Sequence, residues 1–190
     1  MLTTVLAYSL IASYFVVERS LRKGSAALSL KPSESDAGSS KLLGISGGIG
    51  LLLVIAAPLL NRNQGVYWDS TAIAYLGLII MVCGLSLRYW AARVLGEFYT
   101  RTLQTVADQK IIDKAPYSVV RHPGYLGTFL LSIGAGLALM NWLVLVVSVA
   151  IEMTAKAYRI RVEEQMLTTT FGDEFDEYVS KTWKLLPYLY

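Results

Sequence analysis

The chain has 190 residues, 54% of them hydrophobic, with a mean hydropathy of +0.48 and a formal charge of +3. That length fits about one domain, and one soluble core of that size cannot hide so much apolar side chain, so a bilayer is the expected solvent. The small net charge gives no case for a nucleic-acid partner, and the lone Cys83, set in an apolar run, excludes an intrachain disulfide framework and is expected to be a buried packing residue.

In chain order, the first apolar run is Leu2–Val17. No Lys or Arg precedes it and none of the later sequence looks secreted, so a retained span is expected rather than a signal peptide. Lys31–Ser40, with Pro32, Gly38 and several serines, has the composition of a flexible loop, and no function is assigned to it. Leu42–Leu60 is uncharged and carries Gly44, Gly47, Gly48 and Gly50; the spacing of Gly44 and Gly48 suits close helix packing. Ser70–Leu87 is a third run. Glu97–Arg121 is the longest polar connection, and the alternation over Thr100–Thr105 allows a short extended or irregular piece. Tyr125–Met140 and Asn141–Met153 are nearly continuous. One straight helix over residues 125–157 would measure roughly 50 Å, against about 30 Å of hydrocarbon, so a tight helical hairpin turning near Asn141 is predicted. Thr168–Tyr190, with Phe171-Gly172, an acidic cluster and Pro187, is expected to form a short interfacial helix and then a coil.

These runs make an all-α, polytopic membrane protein of about five transmembrane helices. It is a single membrane domain over 1–190, with three spans in 1–95 and a catalytic half in 96–190. Of the seventeen Lys and Arg residues only Arg62 falls in the second or fourth connection. The side bearing the other sixteen is therefore expected to be cytoplasmic, with the N-terminus outside and the C-terminus inside.

Two features can carry chemistry. Glu152, Lys156, Arg159 and Glu163 follow i, i+4, i+7, i+11, which at about 100° per residue places them within roughly 40° of one line on the fifth helix. Arg161 points the other way, and Glu164 lies about 100° from Glu163. Charges at membrane depth face a partner or a wet cavity; the bland alternative is a pair of i,i+4 salt bridges on a helix leaving the bilayer. The second feature is Arg121-His122-Pro123-Gly124-Tyr125-Leu126-Gly127, which holds the only histidine. Pro123 suits a first helical turn, the glycines let a ligand approach the backbone, and the helix start favours an anion such as a carboxylate. A basic interfacial cap with a snorkelling Arg121 is the structural alternative.

The run Tyr117–Gly127 resembles the signature of the isoprenylcysteine carboxyl methyltransferase family. So does Arg159-x-x-x-Glu163-Glu164-x-x-Leu167, followed by Phe171-Gly172-Asp173-Glu174-Phe175-x-x-Tyr178. The similarity covers about Gln104 to Pro187. It departs at Asn141-Trp142, where the family has Asn-Pro, and at Gln109, where it has a histidine or similar residue. The resemblance implies a cytoplasm-facing site for S-adenosyl-L-methionine that includes Gln104, Gln109, Lys110, Ile111, Ile112, Tyr117, His122, Pro123, Gly124, Tyr125 and Glu163. It implies Arg159 at the substrate, Arg159 and Glu163 as the catalytic pair, and no metal. The implied acceptor is a lipid-bearing isoprenylcysteine carboxylate that enters from the bilayer, with membrane lipids as surroundings; oligomeric state is not implied. A carboxylate acceptor is already ionised at neutral pH, so alignment and water exclusion are the task rather than base catalysis. Arg159 would grip that carboxylate as a bidentate fork, moderated by Glu163. Similar motifs occur in phospholipid amine methyltransferases, whose acceptor needs a proton acceptor, and in membrane sterol reductases, which commonly place an acid where this chain has Thr128.

Overall fold

The computed structural model describes residues 2–21, 36–63, 65–99 and 110–187. Among them are six α-helices and no strand: α1 (Leu2–Leu21), α2 (Ser39–Leu60), α3 (Thr71–Leu95), α4 (Pro123–Ala138), α5 (Trp142–Phe171) and α6 (Asp173–Lys181), with a 3-10 turn at Gly96–Phe98. Gln104, Gln109, the Thr100–Thr105 stretch and residues 31–35 of the polar loop lie outside the described residues.

The helices begin and end where local chemistry dictates. In the apolar α1, the Ser9 and Ser13 hydroxyls donate to the carbonyls of Val5 and Ser9, so they need no external partner. Ser70 caps α3, its hydroxyl accepting from the Ile73 amide at 3.4 Å. Pro123 occupies the first turn of α4, where its missing N–H costs nothing. Gly172 (φ 53°) separates α5 from α6, whose first turn carries Asp173, Glu174 and Asp176 against the positive end of the helix.

Helix α4 ends at Ala138 and α5 begins at Trp142, with residues 139–141 between them. Asn141, fully buried, accepts from the Val144 amide at 2.8 Å and donates through Nδ2 to Asn61 Oδ1 at 2.5 Å, while Asn61 Nδ2 donates to the Leu139 carbonyl. One asparagine thus starts α5 and anchors the turn to the end of α2. The apolar runs understate two helices: α3 continues past Leu87 to Leu95, and α5 continues past Met153 to Phe171. Their polar extensions are rich in good helix formers, so the helix outlasts the hydrophobic pattern.

Close packing falls on α3 and α4. A Cβ at Gly77 would sit 2.6 Å from the Gly134 carbonyl oxygen, and one at Gly84 would sit 2.6 Å from that of Gly127. The converse contacts, Gly127 to the Gly84 oxygen and Gly134 to the Gly77 oxygen, are equally short. Glycine is required there because the two backbones touch. The expectation for Gly44 and Gly48 is corrected: among the described residues, a Cβ at Gly44, Gly47 or Gly48 would meet nothing within 4 Å. Cys83 is also corrected, for it is exposed on the outward face of α3 rather than buried.

Apolar side chains cover the outer faces. Leu52, Ile55 and Leu59 of α2 and Leu76, Ile79 and Val82 of α3 are all exposed, a surface suited to lipid and not to water. α2 and α3 are long and apolar enough to cross a bilayer; α4 is apolar but shorter. The main core joins Ala7, Val54, Ala57, Met81, Leu131 and Leu139. A second small core of Leu126, Ile160 and Leu185 fastens the C-terminal segment. That segment is no free coil. The Arg121 amide donates to the Trp183 carbonyl at 2.8 Å and the Trp183 amide to the Val119 carbonyl at 3.0 Å, so the tail is strapped along the entrance to α4.

Candidate active site

Between α1, α2 and α5, and roofed by the α4 entrance, lies a cavity of about 1150 Å³. Its walls combine apolar side chains, among them Ile11, Leu51, Val54, Leu131 and Ala135, with aromatic ones, among them Tyr117, Tyr125, Phe171, Phe175 and Tyr178. The open glycines of α2, Gly44, Gly47 and Gly48, form part of this wall. They widen the cavity instead of closing a helix interface.

The motif residues converge here. Lys110, Ile111, Ile112, Tyr117, His122, Gly124, Tyr125, Arg159 and Glu163 all line the cavity. Pro123 sits behind the wall, fully buried in the first turn of α4. All four residues of the charged stripe on α5, Glu152, Lys156, Arg159 and Glu163, face the cavity.

Each charge is held. Lys156 pairs with Glu152, which also accepts from Ser132 of α4. Arg159, 5% exposed, donates through Nη1 to Asp36 Oδ1 at 2.7 Å and to the Ser39 and Ser40 hydroxyls, each at 2.8 Å. Its Nε donates to the Tyr125 hydroxyl at 3.0 Å, and Tyr125 in turn donates to Glu163 Oε2 at 2.6 Å. Arg159 and Glu163 are therefore bridged by Tyr125, with Nε and Oε2 3.8 Å apart. Asp36, not Glu163, is the close counter-ion of Arg159. Burial works to raise the Asp36 carboxyl, but the Ser40 donors, Arg159 and Ser39 outweigh it and hold the group below its ordinary pKa. Burial pushes the Tyr117 and Tyr178 hydroxyls up, so both stay protonated; Tyr178 donates to the Tyr117 carbonyl at 2.8 Å.

His122 is 5% exposed, its Nε2 3.2 Å from Glu164 Oε1, its ring stacked on Tyr125 with centroids 5.7 Å apart. Glu164 also accepts from Arg121 Nε at 2.9 Å and Lys184 Nζ at 3.1 Å. Arg121 reaches on to the carbonyls of Val179 and Thr182. It is turned inward to the C-terminal strap and does not snorkel.

Sequence reasoning missed three groups. Asp36, Ser39 and Ser40 came from a stretch given no function. The available signal was an acid four residues ahead of Ser40 at the mouth of an apolar run, a helix-start pattern; the Asp36 carboxylate does accept from the Ser40 amide at 3.1 Å. Glu18, Arg88 and Tyr99 form a second buried cluster on the cavity wall, with Arg88 Nε 2.7 Å from Glu18 and the Tyr99 hydroxyl 2.6 Å from it. Glu164 was placed off the stripe, and its part in orienting His122 has no local signature.

Glu163 faces the cavity with its nearest cation 3.8 Å away, while Arg159 and Arg88 already have Asp36 and Glu18 beside them. At Gly124, a Cβ would come within 2.7 Å of Arg88 Nη1, so the chain at the start of α4 is kept slim beside the pocket.

Comparison with known proteins bears on the family of the chain. Residues 76–169 match the model of the isoprenylcysteine carboxyl methyltransferase family. A rice (Oryza sativa subsp. indica) protein named "Probable protein-S-isoprenylcysteine O-methyltransferase" is 31% identical over 152 residues, 79% of this chain and 78% of the relative. The protein-S-isoprenylcysteine O-methyltransferase of Saccharomyces cerevisiae is 33% identical over 116 residues, covering 60% of this chain and 48% of its own. A solved structure of the eukaryotic intramembrane Ras methyltransferase shares the fold with a TM-score of 0.62 and 23% identity, over 77% of this chain and 52% of that one. The chain thus spans about half the length of the yeast relative and of the solved protein. This membrane protein belongs to the isoprenylcysteine carboxyl methyltransferase family.

Proposed function

We propose that this chain is an S-adenosyl-L-methionine-dependent methyltransferase that esterifies the carboxylate of an isoprenylcysteine-like lipidated acceptor. The observation that carries the reading is one cavity whose walls combine apolar side chains with Arg159 and Glu163. Membership of the family supports the same activity, which is that of the rice and yeast relatives by name.

When bound, the cofactor supplies a methyl group on a positively charged sulfur. Glu163 faces its cationic groups. His122, held by Glu164, and the Gly124 amide suit its carboxylate, and the Tyr117 and Phe171 rings offer faces for its base. Gln104 and Gln109 are assigned to the same pocket by the family pattern alone. Arg159 would orient the acceptor's carboxylate, the group that receives the methyl. No proton moves, so no base is required. The prenyl chain would pack against apolar lining residues such as Leu51, Val54 and Leu131. In this reading α1 to α5 are the five spans, α4 and α5 form a hairpin, and the site faces the cytoplasm, where the basic residues concentrate. The first three helices supply the acceptor channel, and residues 96–190 supply most of the cofactor site.

The test is methyl transfer by purified protein from radiolabelled S-adenosyl-L-methionine to N-acetyl-S-farnesylcysteine, with phosphatidylethanolamine as the competing acceptor. Base-labile labelled ester on the prenylcysteine is expected. Label on the phospholipid amine, with none on the prenylcysteine, overturns the reading.

A further inference from the structure

Arg159 is held in a way that limits what it can offer a ligand. Its Nη1 is spent on Asp36, Ser39 and Ser40, and its Nε on Tyr125. Among the described residues Nη2 is the guanidinium nitrogen with no hydrogen-bond partner. Asp36 is itself only 1% exposed and is saturated by the Ser40 amide, the Ser40 and Ser39 hydroxyls and Arg159. The start of α2 is further pinned to α5 by the Tyr158 hydroxyl, which donates to the Ala37 carbonyl at 2.8 Å. Asp36 and Arg159 both line the cavity. The expected open fork, two parallel donors facing an acceptor carboxylate, is therefore half occupied by the chain's own carboxylate.

The chemistry explains why this is useful. In the reaction proposed above, an anion and a cation combine to give neutral products, so the carboxylate loses charge on the way to the transition state. A fully charged, desolvated guanidinium gripping that carboxylate would stabilise the ground state more than the transition state, and so slow the step. The effect is large in a low-dielectric cavity.

We propose that Asp36 is a positioning residue for methyl transfer. By engaging Nη1 it fixes the plane of Arg159 and offsets its charge, so that the acceptor's carboxylate is oriented through Nη2 yet stays nucleophilic. This rests on the reading that Arg159 meets the acceptor's carboxylate.

The near-isosteric Asp36→Asn removes the charge and keeps an acceptor for the Ser40 amide. With N-acetyl-S-farnesylcysteine, the acceptor KM should fall about fivefold and kcat should fall about tenfold or more, with cofactor affinity unchanged. A residue that merely supported the fold would leave KM alone or raise it. Asp36→Glu keeps the charge and should return both constants toward wild type. An equilibrium arm needs no turnover: Asp36→Asn should bind the prenylcysteine carboxylate more tightly than wild type does, and its carboxamide no more tightly. If Asp36→Asn does not fold, Asp36→Glu must still prefer carboxylate over carboxamide by the wild-type ratio within about twofold; a larger change overturns the assignment. If wild type esterifies the prenylcysteine but Asp36→Asn shows neither the KM fall nor selective tightening, Asp36 has no such role and the function stands. If wild type transfers no methyl while selective tightening is seen, the function falls and the Asp36–Arg159 assignment stands.

Discussion

The same residue does opposite work in two parts of this molecule. On α3 and α4, Gly77, Gly84, Gly127 and Gly134 let two backbones touch, with Cβ positions within 2.7 Å of the facing carbonyl oxygens. On α2, Gly44, Gly47 and Gly48 face open space in the cavity. The first set brings α4 against α3 so that His122 and Tyr125 are carried on a rigid pair. The second set makes room for a ligand. Spacing alone does not separate these cases: Gly44 and Gly48 have the small-xxx-small pattern of a packing motif, while the glycines that pack are seven apart on each helix. What distinguishes them is the partner, which only the tertiary fold supplies.

The comparison breaks most visibly at the tight interface. Gly84→Val would drive a branched side chain into the Gly127 carbonyl and the Leu131 amide, 2.6 and 2.8 Å from the first added carbon. Neither atom can yield without moving a helix, so a loss of about 3 kcal/mol is expected, seen as a lower unfolding temperature in detergent and a loss of monodisperse protein. Unchanged unfolding would mean that α3 and α4 are farther apart.

Next in size are the two charged residues on the cavity wall, which should fail in different ways although they share Tyr125. Glu163→Gln removes the carboxylate that faces a cationic ligand, and S-adenosyl-L-methionine affinity measured by calorimetry should fall about tenfold or more. Arg159→Lys keeps a charge but loses the planar guanidinium that engages Asp36 and Tyr125 together. Turnover should fall about 100-fold with cofactor affinity nearly intact. Equal loss of cofactor affinity in both variants would show that the two residues serve one ligand.

This pair also marks how far the sequence could be read. The stripe on α5 was legible because helical periodicity is local: four charges at fixed offsets must share a face, and they do. The start of α4 was legible for the same reason, since a Pro-Gly step within a few residues of an apolar run has one helical reading. The counter-ion of Arg159 was not legible. Asp36 lies 123 residues away in sequence, and nothing in the composition of a serine-rich stretch distinguishes a linker from a clamp. Glu18, Arg88 and Tyr99 were hidden in the same way, each looking like an ordinary charge or aromatic at the end of a span. Cys83 was misplaced because an apolar helix in a bilayer can expose either face, so hydrophobic neighbours do not imply burial.

A smaller effect, of a different kind, is expected on the open wall. Gly48→Leu fills part of the cavity without meeting any atom near the backbone. Its fold should be as stable as wild type within about 1 kcal/mol, and cofactor affinity should not change. The KM for a farnesylated acceptor should rise about fivefold, and less for a shorter prenyl chain. A matching loss of cofactor affinity would show that this part of the cavity belongs to the cofactor rather than to the lipid.

The smallest expected effect is the sharpest test of the comparison, because it turns on a sign. Gly→Ala adds one methyl group. In a helix interior with free space the change is favourable by roughly 0.5–1 kcal/mol, since alanine restricts the unfolded chain and glycine does not. Gly44→Ala meets that condition: the site lies within α2 and, among the described residues, its new Cβ would touch nothing within 4 Å. Gly77→Ala has the same intrinsic gain, but its Cβ would lie 2.5 Å from the Ala138 amide nitrogen and 2.6 Å from the Gly134 oxygen, and the overlap costs about 1–3 kcal/mol. The overlap wins. Unfolding temperatures measured side by side should therefore move in opposite directions, slightly up for Gly44→Ala and down for Gly77→Ala. If both rise, the α3–α4 contact has room to relax and is not the rigid mount described above. If both fall, α2 packs against a partner at Gly44, and the wall of the cavity is not open there.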